Sequence, residues 1–346
     1  MSHEAQPKTP LAVCFGCAGE TLSADERAFF RHADPLGFIL FRRNCRHREQ
    51  VEALVADFRD CVGRRDAPVL IDQEGGRVAR LKPPEWRRYP APARLAAVPG
   101  AEEAVRLGAR LIADDLATLG VTVDALPVLD LPVAGASDVI GDRAYGGDPA
   151  FVSRLGRAAC EGLLQGGVLP IVKHMPGHGR ARVDSHKALP RVETPAEVLA
   201  QSDFAPFRAL NDMPWAMTAH VVYTAIDPNA PATLSRTVID RVIRRDIGFD
   251  GVLVSDDVNM GALSGTMAEK IAGVLAAGCD VALHCSGVLS EMREAAEAAA
   301  PLIPAAAARL ARGEALRRNS IRDFDRREAE LRFEAMTKAA MGAGAA

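Results

Sequence analysis

The chain has 346 residues, 48% hydrophobic and 25% charged, which is the composition of a protein that folds around a large apolar core. Its 42 Lys and Arg against 45 Asp and Glu leave a net charge of −3, so the charge balance gives no support to nucleic-acid binding. No apolar run approaches the ~20 residues a membrane span needs, and seven irregularly spaced cysteines suit a reducing compartment better than a disulfide framework; the expectation is a cytoplasmic protein.

Residues 1–10 are polar, without the basic and apolar regions of a secretory signal, and are expected to form a disordered lead to a single domain running from 11 to 346. Leu11 to Phe15 is a short apolar run and predicts a strand. The pair Cys14-x-x-Cys17 falls in this stretch and reads as small buried residues rather than a redox or zinc site. Leu22 to His32 is helical in pattern, with Ser23 as N-cap and Glu26 completing a capping box. Gly37 to Phe41 predicts the second strand. Arg46 to Val62 predicts the second helix, with apolar residues at 51, 54, 55, 58 and 62. Pro68 to Ile71 is the third strand and ends on Asp72-Gln73-Glu74-Gly75-Gly76-Arg77. A proline-rich loop, a helix from Ala101 to Leu119 and a strand from Val121 to Ala125 follow. The long loop from Leu126 to Gly147 carries Asp130, Asp138, Asp142 and Arg143.

After a helix from Pro149 to Leu164, the strand Val168 to Val172 leads into Lys173-His174-Met175-Pro176-Gly177-His178-Gly179, and then Asp184-Ser185-His186. Few structural needs call for so many ionisable groups in so short a space. Pro195 to Leu210 predicts a helix and Trp215 to His220 the sixth strand. Thr237 to Asp246 is helical, and Gly251 to Val254 is a strand ending in Ser255-Asp256-Asp257. Met267 to Ala277 is a helix, Asp280 to His284 the eighth strand. Two more helices, Leu289 to Gly313 and Arg322 to Met341, finish the chain.

Eight apolar strands alternating with helices predict an α/β fold with a parallel sheet and right-handed crossovers. Eight such units in roughly 300 residues fit a closed (β/α)8 barrel with additional C-terminal helices better than an open doubly wound sheet. No Gly-x-Gly-x-x-Gly follows the first strand and there is no Walker loop, so no nucleotide cofactor is expected. In a barrel, catalytic groups sit at the C-terminal ends of strands. Asp72, Lys173 with His174, His220, and Asp256 with Asp257 all fall there.

A carboxylate held rigidly at Asp256 can serve as nucleophile, base or metal ligand. Its neighbour Asp257 is expected to face the other way. An imidazole beside a carboxylate, as in Asp184-Ser185-His186, suits proton transfer near neutrality. His174, His178, Asp184 and His186 also read as a metal set, but Pro176 and Gly177 deny the first two a shared helical face, and Lys173 repels a cation; no metal is expected.

At these residues the sequence resembles the family 3 glycoside hydrolases, in particular the single-domain bacterial β-N-acetylglucosaminidases of peptidoglycan recycling. The family pattern is carried by Asp72 to Val78, by Ile140-Gly141-Asp142-Arg143, by Lys173 to Gly179 with Asp184 to His186, and by Ser255 to Asp257, in family order. Met175 stands for the usual Phe, and the segment Val258-Asn259-Met260-Gly261 departs from the pattern. The resemblance implies that Asp256 is the nucleophile of a retaining mechanism, that His186 is the acid/base tuned by Asp184, and that Asp72, Arg80, Arg143, Lys173 and His174 bind the N-acetylglucosamine unit. It gives Glu74, which invites reading as a general acid, no such role, and Glu74 is read instead as a loop-fixing residue.

His178 is expected to hold the loop, and His220 to be wall or packing. The loop from Gly179 to His186, with glycines at 177 and 179 and no apolar anchor before Val183, is expected to close over substrate. Arg180 and Arg182 are candidates to meet aglycone carboxylates, or are simply solvated. The implied partner is a carbohydrate, a muropeptide fragment with terminal N-acetylglucosamine, acted on by a monomer without cofactor. Three alternatives stand beside this: a phosphorylase using the same site, a metal-dependent barrel hydrolase, and a catalytically dead sugar-binding protein.

Overall fold

A computed structural model describes residues 9–342. Eight strands close into one parallel barrel: β1 Leu11–Phe15, β2 Pro35–Leu40, β3 Val69–Ile71, β4 Val123–Asp124, β5 Leu169–Met175, β6 Trp215–Thr218, β7 Val252–Asp257 and β8 Val281–His284. Each strand pairs with its neighbours in sequence, and β8 pairs with β1. Residues 1–8 of the expected lead lie outside the described residues. Pro10 is already part of the fold, its carbonyl accepting from the Leu302 N–H at 2.9 Å.

The core has two layers because strand side chains alternate. Cys14, Ile39, Leu70, Val123, Ile171, Met217, Val252, Val254 and Leu283 fill the barrel. Residues of opposite parity, such as Val13, Phe15, Phe38, Val69, Leu253 and Ala282, pack outward against the helices. The Ser23–Glu26 capping box forms as expected, and the helix Ala24–Ala33 buries Phe29 and Phe30. The helix Arg48–Val62 buries Val51, Leu54, Val55 and Phe58.

Two expected helices are broken. Leu289 to Gly313 is two helices, Leu289–Ala298 and Pro304–Ser320. Pro301 and Pro304 cannot supply the N–H groups a continuous helix needs, and Pro304 instead starts the second helix at its first turn. Pro195 to Leu210 is two short helices, Ala196–Gln201 and Ala205–Ala209, interrupted at Ser202 and Asp203. The C-terminal helices have distinct tasks. Leu302, Ala306 and Leu310 pack with the barrel-filling residues and plug the end of the barrel opposite the strand tips. The helix Arg326–Gly342 lies on Ala101–Thr118, with Arg326 pairing Asp114 at 2.6 Å and Asp115 at 2.9 Å.

Candidate active site

The C-terminal ends of the strands open into a cavity of about 210 Å³. Strand parity explains part of its lining. Leu70, Ile171 and Val254 point into the barrel, and the same parity carries Asp72, Lys173 and Asp256 to its mouth. It does not explain His174 or Asp257, which have the opposite parity and still line the cavity. Two irregularities in pairing do. The register shifts by one residue between Val172 and Met175 on β5, and again between Val254 and Asp257 on β7. A bulge re-aims the side chains that follow it. The expectation that Asp257 faces away is therefore corrected: both aspartates reach the cavity wall.

Strand β5 also runs further than its apolar pattern indicates. It continues through Met175, so Lys173 and His174 sit inside a paired strand rather than after it. Lys173 is almost fully buried. Its ammonium donates to Asp72 at 2.9 Å and lies 2.5 Å from Glu74. Arg143 forms two parallel bonds to Glu74, both 2.8 Å, and Arg80 donates to the other oxygen of Asp72 at 2.9 Å. Three cations thus enclose two carboxylates. Burial alone would raise both acids, but Lys173 and Arg80 hold Asp72 well below the usual carboxylate range, and Arg143 with Lys173 holds Glu74 down to about 2. The loop-fixing role expected of Glu74 has a concrete form: it positions two of the residues expected to bind sugar.

Asp130, in the long loop, was given no role by sequence reasoning. It is fully buried and accepts from the His174 ring Nδ1 at 2.6 Å, from the His174 main-chain N–H at 3.2 Å and from the His178 N–H at 2.6 Å. The isolated β-bridge between Val128 and Lys173 lays its loop along β5. The only sequence signal is an acid immediately after the Val128-Leu129 pair in an otherwise unassigned segment.

Asp256 accepts from the Asp257 N–H at 2.8 Å. Burial pushes its carboxyl up, but His174, His220, that N–H and Lys173 together bring it below the ordinary value. Asp257 has the opposite balance: burial and the neighbouring Asp256 push it up to about 6. The two adjacent acids are thereby driven apart in proton affinity, the usual sign of a division of labour. His220 is buried off the cavity, bonded to Thr233 at 2.7 Å and to the Asp257 carbonyl at 3.0 Å, consistent with a packing role.

His186 lines the cavity with a largely exposed ring, and its Nδ1 donates to Asp184 at 2.9 Å. Asp184 stands behind it. Slight burial would raise the Asp184 carboxyl, but the N–H and imidazole of His186 reverse this and hold it low. The loop carrying this pair is better anchored than expected. Ala181 is buried, whereas Val183 is exposed. The Ala181 carbonyl accepts from Ser137 at 2.8 Å, and buried Ser185 meets His178 Nε2 at 3.0 Å. Gly179 does not loosen the chain either: a Cβ there would lie 2.0 Å from the Leu131 carbonyl oxygen, so glycine permits a main-chain contact. Arg180 is committed to Asp203 at 2.7 Å, which removes it as a free contact for substrate; Arg182 remains exposed. Burial lowers His178 to about 4, so it is a neutral bracket between Asp130 and Ser185.

Seven of the eight expected site residues, Asp72, Arg80, Arg143, Lys173, His174, His186 and Asp256, share this one cavity, and Asp184 backs the sixth of them. Among the described residues no group of three or more His, Cys, Asp or Glu is arranged to hold a metal ion; His174 Nδ1 is taken by Asp130 and His178 Nε2 by Ser185.

Fold and cavity define a (β/α)8 barrel enzyme with its polar groups at the strand tips. Residues 15–312 match the glycosyl hydrolase family 3 N terminal domain. A β-hexosaminidase of Pseudomonas aeruginosa is 39% identical over 271 residues, covering 78% of this chain and 80% of that one. The crystal structure of NagZ from Neisseria gonorrhoeae in complex with N-trifluoroacetyl-D-glucosamine superposes with a TM-score of 0.82 at 30% identity, over 96% of this chain and 98% of that one. A family 3 β-N-acetylglucosaminidase from Paenibacillus gives a TM-score of 0.77 at 32% identity; this chain spans 62% of that longer one. The chain belongs to glycoside hydrolase family 3 and is a glycoside hydrolase of the β-N-acetylhexosaminidase type.

Proposed function

We propose that the enzyme is a retaining exo-β-N-acetylglucosaminidase that removes non-reducing terminal N-acetylglucosamine from peptidoglycan fragments, namely N-acetylglucosaminyl-1,6-anhydro-N-acetylmuramic acid and its peptides, in the cytoplasm. One observation carries the reading. A single cavity contains an ionised carboxylate, Asp256, and an imidazole, His186, whose second ring nitrogen is occupied by Asp184.

With Nδ1 held by Asp184, His186 presents Nε2 to the glycosidic oxygen. As imidazolium it protonates that oxygen while Asp256 attacks the anomeric carbon; the C–O bond breaks and a glycosyl ester forms. Neutral His186 then takes a proton from water as the water displaces Asp256, releasing the sugar with retained configuration. Asp72, Arg80, Arg143, Lys173 and His174 bind the sugar. Asp72 accepts from hydroxyls while its charge stays matched by Lys173 and Arg80. A cavity of about 210 Å³ suits one sugar ring, in keeping with exo action. The names of the relatives support the N-acetylhexosamine class; the muropeptide aglycone and a monomeric state are our reading.

The test is hydrolysis of an aryl β-N-acetylglucosaminide against the matching β-glucoside, with and without phosphate. Preference for the N-acetyl sugar, with free sugar as product, is expected. Absence of activity on it would overturn the reading. Glycosyl phosphate formed in phosphate buffer would replace hydrolase with phosphorylase at the same site, because a deprotonated imidazole repels phosphate less than a carboxylate would.

A further inference from the structure

The segment Val258-Asn259-Met260-Gly261 has no part in the roles so far, yet it lies between the nucleophile strand and the acid/base loop. Its beginning is fixed from below. The Asn259 N–H donates to Asp257 at 3.0 Å, its side-chain amide donates to Glu291 at 3.0 Å, and its side-chain oxygen accepts from Cys285 at 3.1 Å and Ser286 at 3.3 Å. Val258 donates to the Leu283 carbonyl at 2.9 Å. The segment is thus an extension of β7 tied to β8 and the turn beyond it.

Its end meets the loop. The Gly261 N–H donates to the His186 carbonyl at 3.2 Å, and the Ala262 N–H donates to the Ser185 carbonyl at 3.1 Å. These bonds bring two main chains into close contact. A Cβ on residue 261 would lie 2.9 Å from the His186 carbonyl oxygen and 3.2 Å from that of Lys187. Both are backbone atoms, so neither can swing aside as a side chain would. Gly261 shows no positive φ. It is therefore the closeness of the loop, rather than the local conformation, that requires glycine here.

We propose that Gly261 is a positioning residue for the acid/base: its bare main chain is the seat on which His186 rests. Only four residues, 257–260, separate it from Asp256, and the ties of Asn259 make that span rigid. Nucleophile and proton donor are thereby referred to one short piece of chain, although some seventy residues of sequence lie between them. The inference rests on the proposed role of His186 and adds to it the element that sets the reach of its Nε2. Displacing a catalytic group by a fraction of an ångström to an ångström costs up to about 10²-fold in rate.

The test compares Gly261→Ala, Gly261→Val and His186→Ala with the parent enzyme. The substrates are two β-N-acetylglucosaminides, one with a 2,4-dinitrophenyl leaving group that needs little protonation and one with a methyl or sugar leaving group that needs full protonation. The quantity read is kcat/KM, with thermal melting alongside. For the poor leaving group we expect a fall of several-fold in Gly261→Ala and roughly 10-fold to 100-fold in Gly261→Val. For the dinitrophenyl substrate we expect near-parental values, with melting temperatures close to the parent for the alanine variant. A fall of equal size on both substrates, or parental behaviour of the alanine and valine variants on both, overturns the proposal. His186→Ala separates the two layers: selective loss there with none at Gly261 defeats the seat alone, whereas no selective loss in His186→Ala defeats the acid/base reading itself.

Discussion

The carboxylate of Asp130 grips the Nδ1 of His174 at 2.6 Å across 44 residues of sequence, and the same carboxylate caps the main-chain N–H groups of His174 and His178. One buried acid thereby fixes the tautomer of a cavity imidazole and the path of the strand that carries it, leaving His174 Nε2 available to the cavity. Burial would raise Asp130, but the two histidines hold it below its ordinary value. Its stabilising contribution is present above the unfolded carboxyl pKa and is lost as pH falls below it. Asp130→Asn keeps the shape and loses the charge; kcat/KM should drop by roughly 10²-fold through misorientation of His174. Asp130→Ala should lose about 3–5 kcal/mol, the cost of breaking a buried pair. Steady-state kinetics and denaturant titration check the two effects separately.

Glu74 should behave as a positioning acid. It holds Arg143 and Lys173, and its carboxyl titrates at about 2 in the folded protein against ~4.3 in an unfolded chain. The lowered value means that its stabilisation is complete above about pH 4.3 and disappears as pH falls toward 2. Glu74→Gln should flatten acid unfolding in that window, cost roughly 3–5 kcal/mol at neutral pH, and raise KM more than it lowers kcat. A variant that melts like the parent from pH 7 to 3 would show that the ion cluster contributes nothing net.

Much of this site could be read in the sequence because a barrel delivers strand ends to one face, so an acid or base after a short apolar run is already located. Asp72, Lys173, His174 and Asp256 were legible for that reason. Asp184 and His186 were legible from their spacing. Asp130 was not, since its importance comes from a loop laid along β5, and nothing local marks that contact. Bulges are equally invisible to periodicity, which is why Asp257 was expected to point away. The helix expected from Leu289 to Gly313 breaks after Ala298 because Pro301 and Pro304 lie within it, and helical periodicity alone does not register that break. Gly179 shows the converse difficulty: glycine as freedom and glycine as close contact look the same in a sequence, and only the Leu131 carbonyl distinguishes them.

The adjacent acids of β7 should separate cleanly. Asp256 is ionised at neutral pH and aimed by the Asp257 N–H, whereas Asp257 spends its side chain on the N–H groups of Asn259 and Cys285. Asp256→Ala should bind sugar with near-parental affinity and lose on the order of 10⁴-fold or more in kcat. Asp257→Asn should stay within about 10-fold, because its bonds are structural and its charge is unneeded. Binding by calorimetry together with turnover tests the pair; comparable losses from both substitutions would end the assignment.

Asp124 gives a pH dependence opposite to that of Glu74. It is fully buried, accepts from the Gln73 N–H at 2.9 Å, and its second oxygen has no partner among the described residues. Burial pushes its carboxyl well above the ordinary value, with Asp72 and Glu74 adding to the rise against the opposing Gln73 N–H and Lys173. A folded-state acid raised in this way holds its proton more tightly than the unfolded chain does. Its cost to stability is therefore absent below about pH 3.9 and grows as pH rises from there toward the folded pKa. Asparagine has the same shape and can accept the same N–H, but carries no proton to lose. Asp124→Asn should match or exceed the parent at neutral pH by up to about 1–3 kcal/mol, with the gap widening as pH rises from 4 to 9. Denaturant midpoints across that range measure it. Parallel curves for the two proteins would mean that Asp124 is charged in the fold and finds its counter-charge in Lys173 after all.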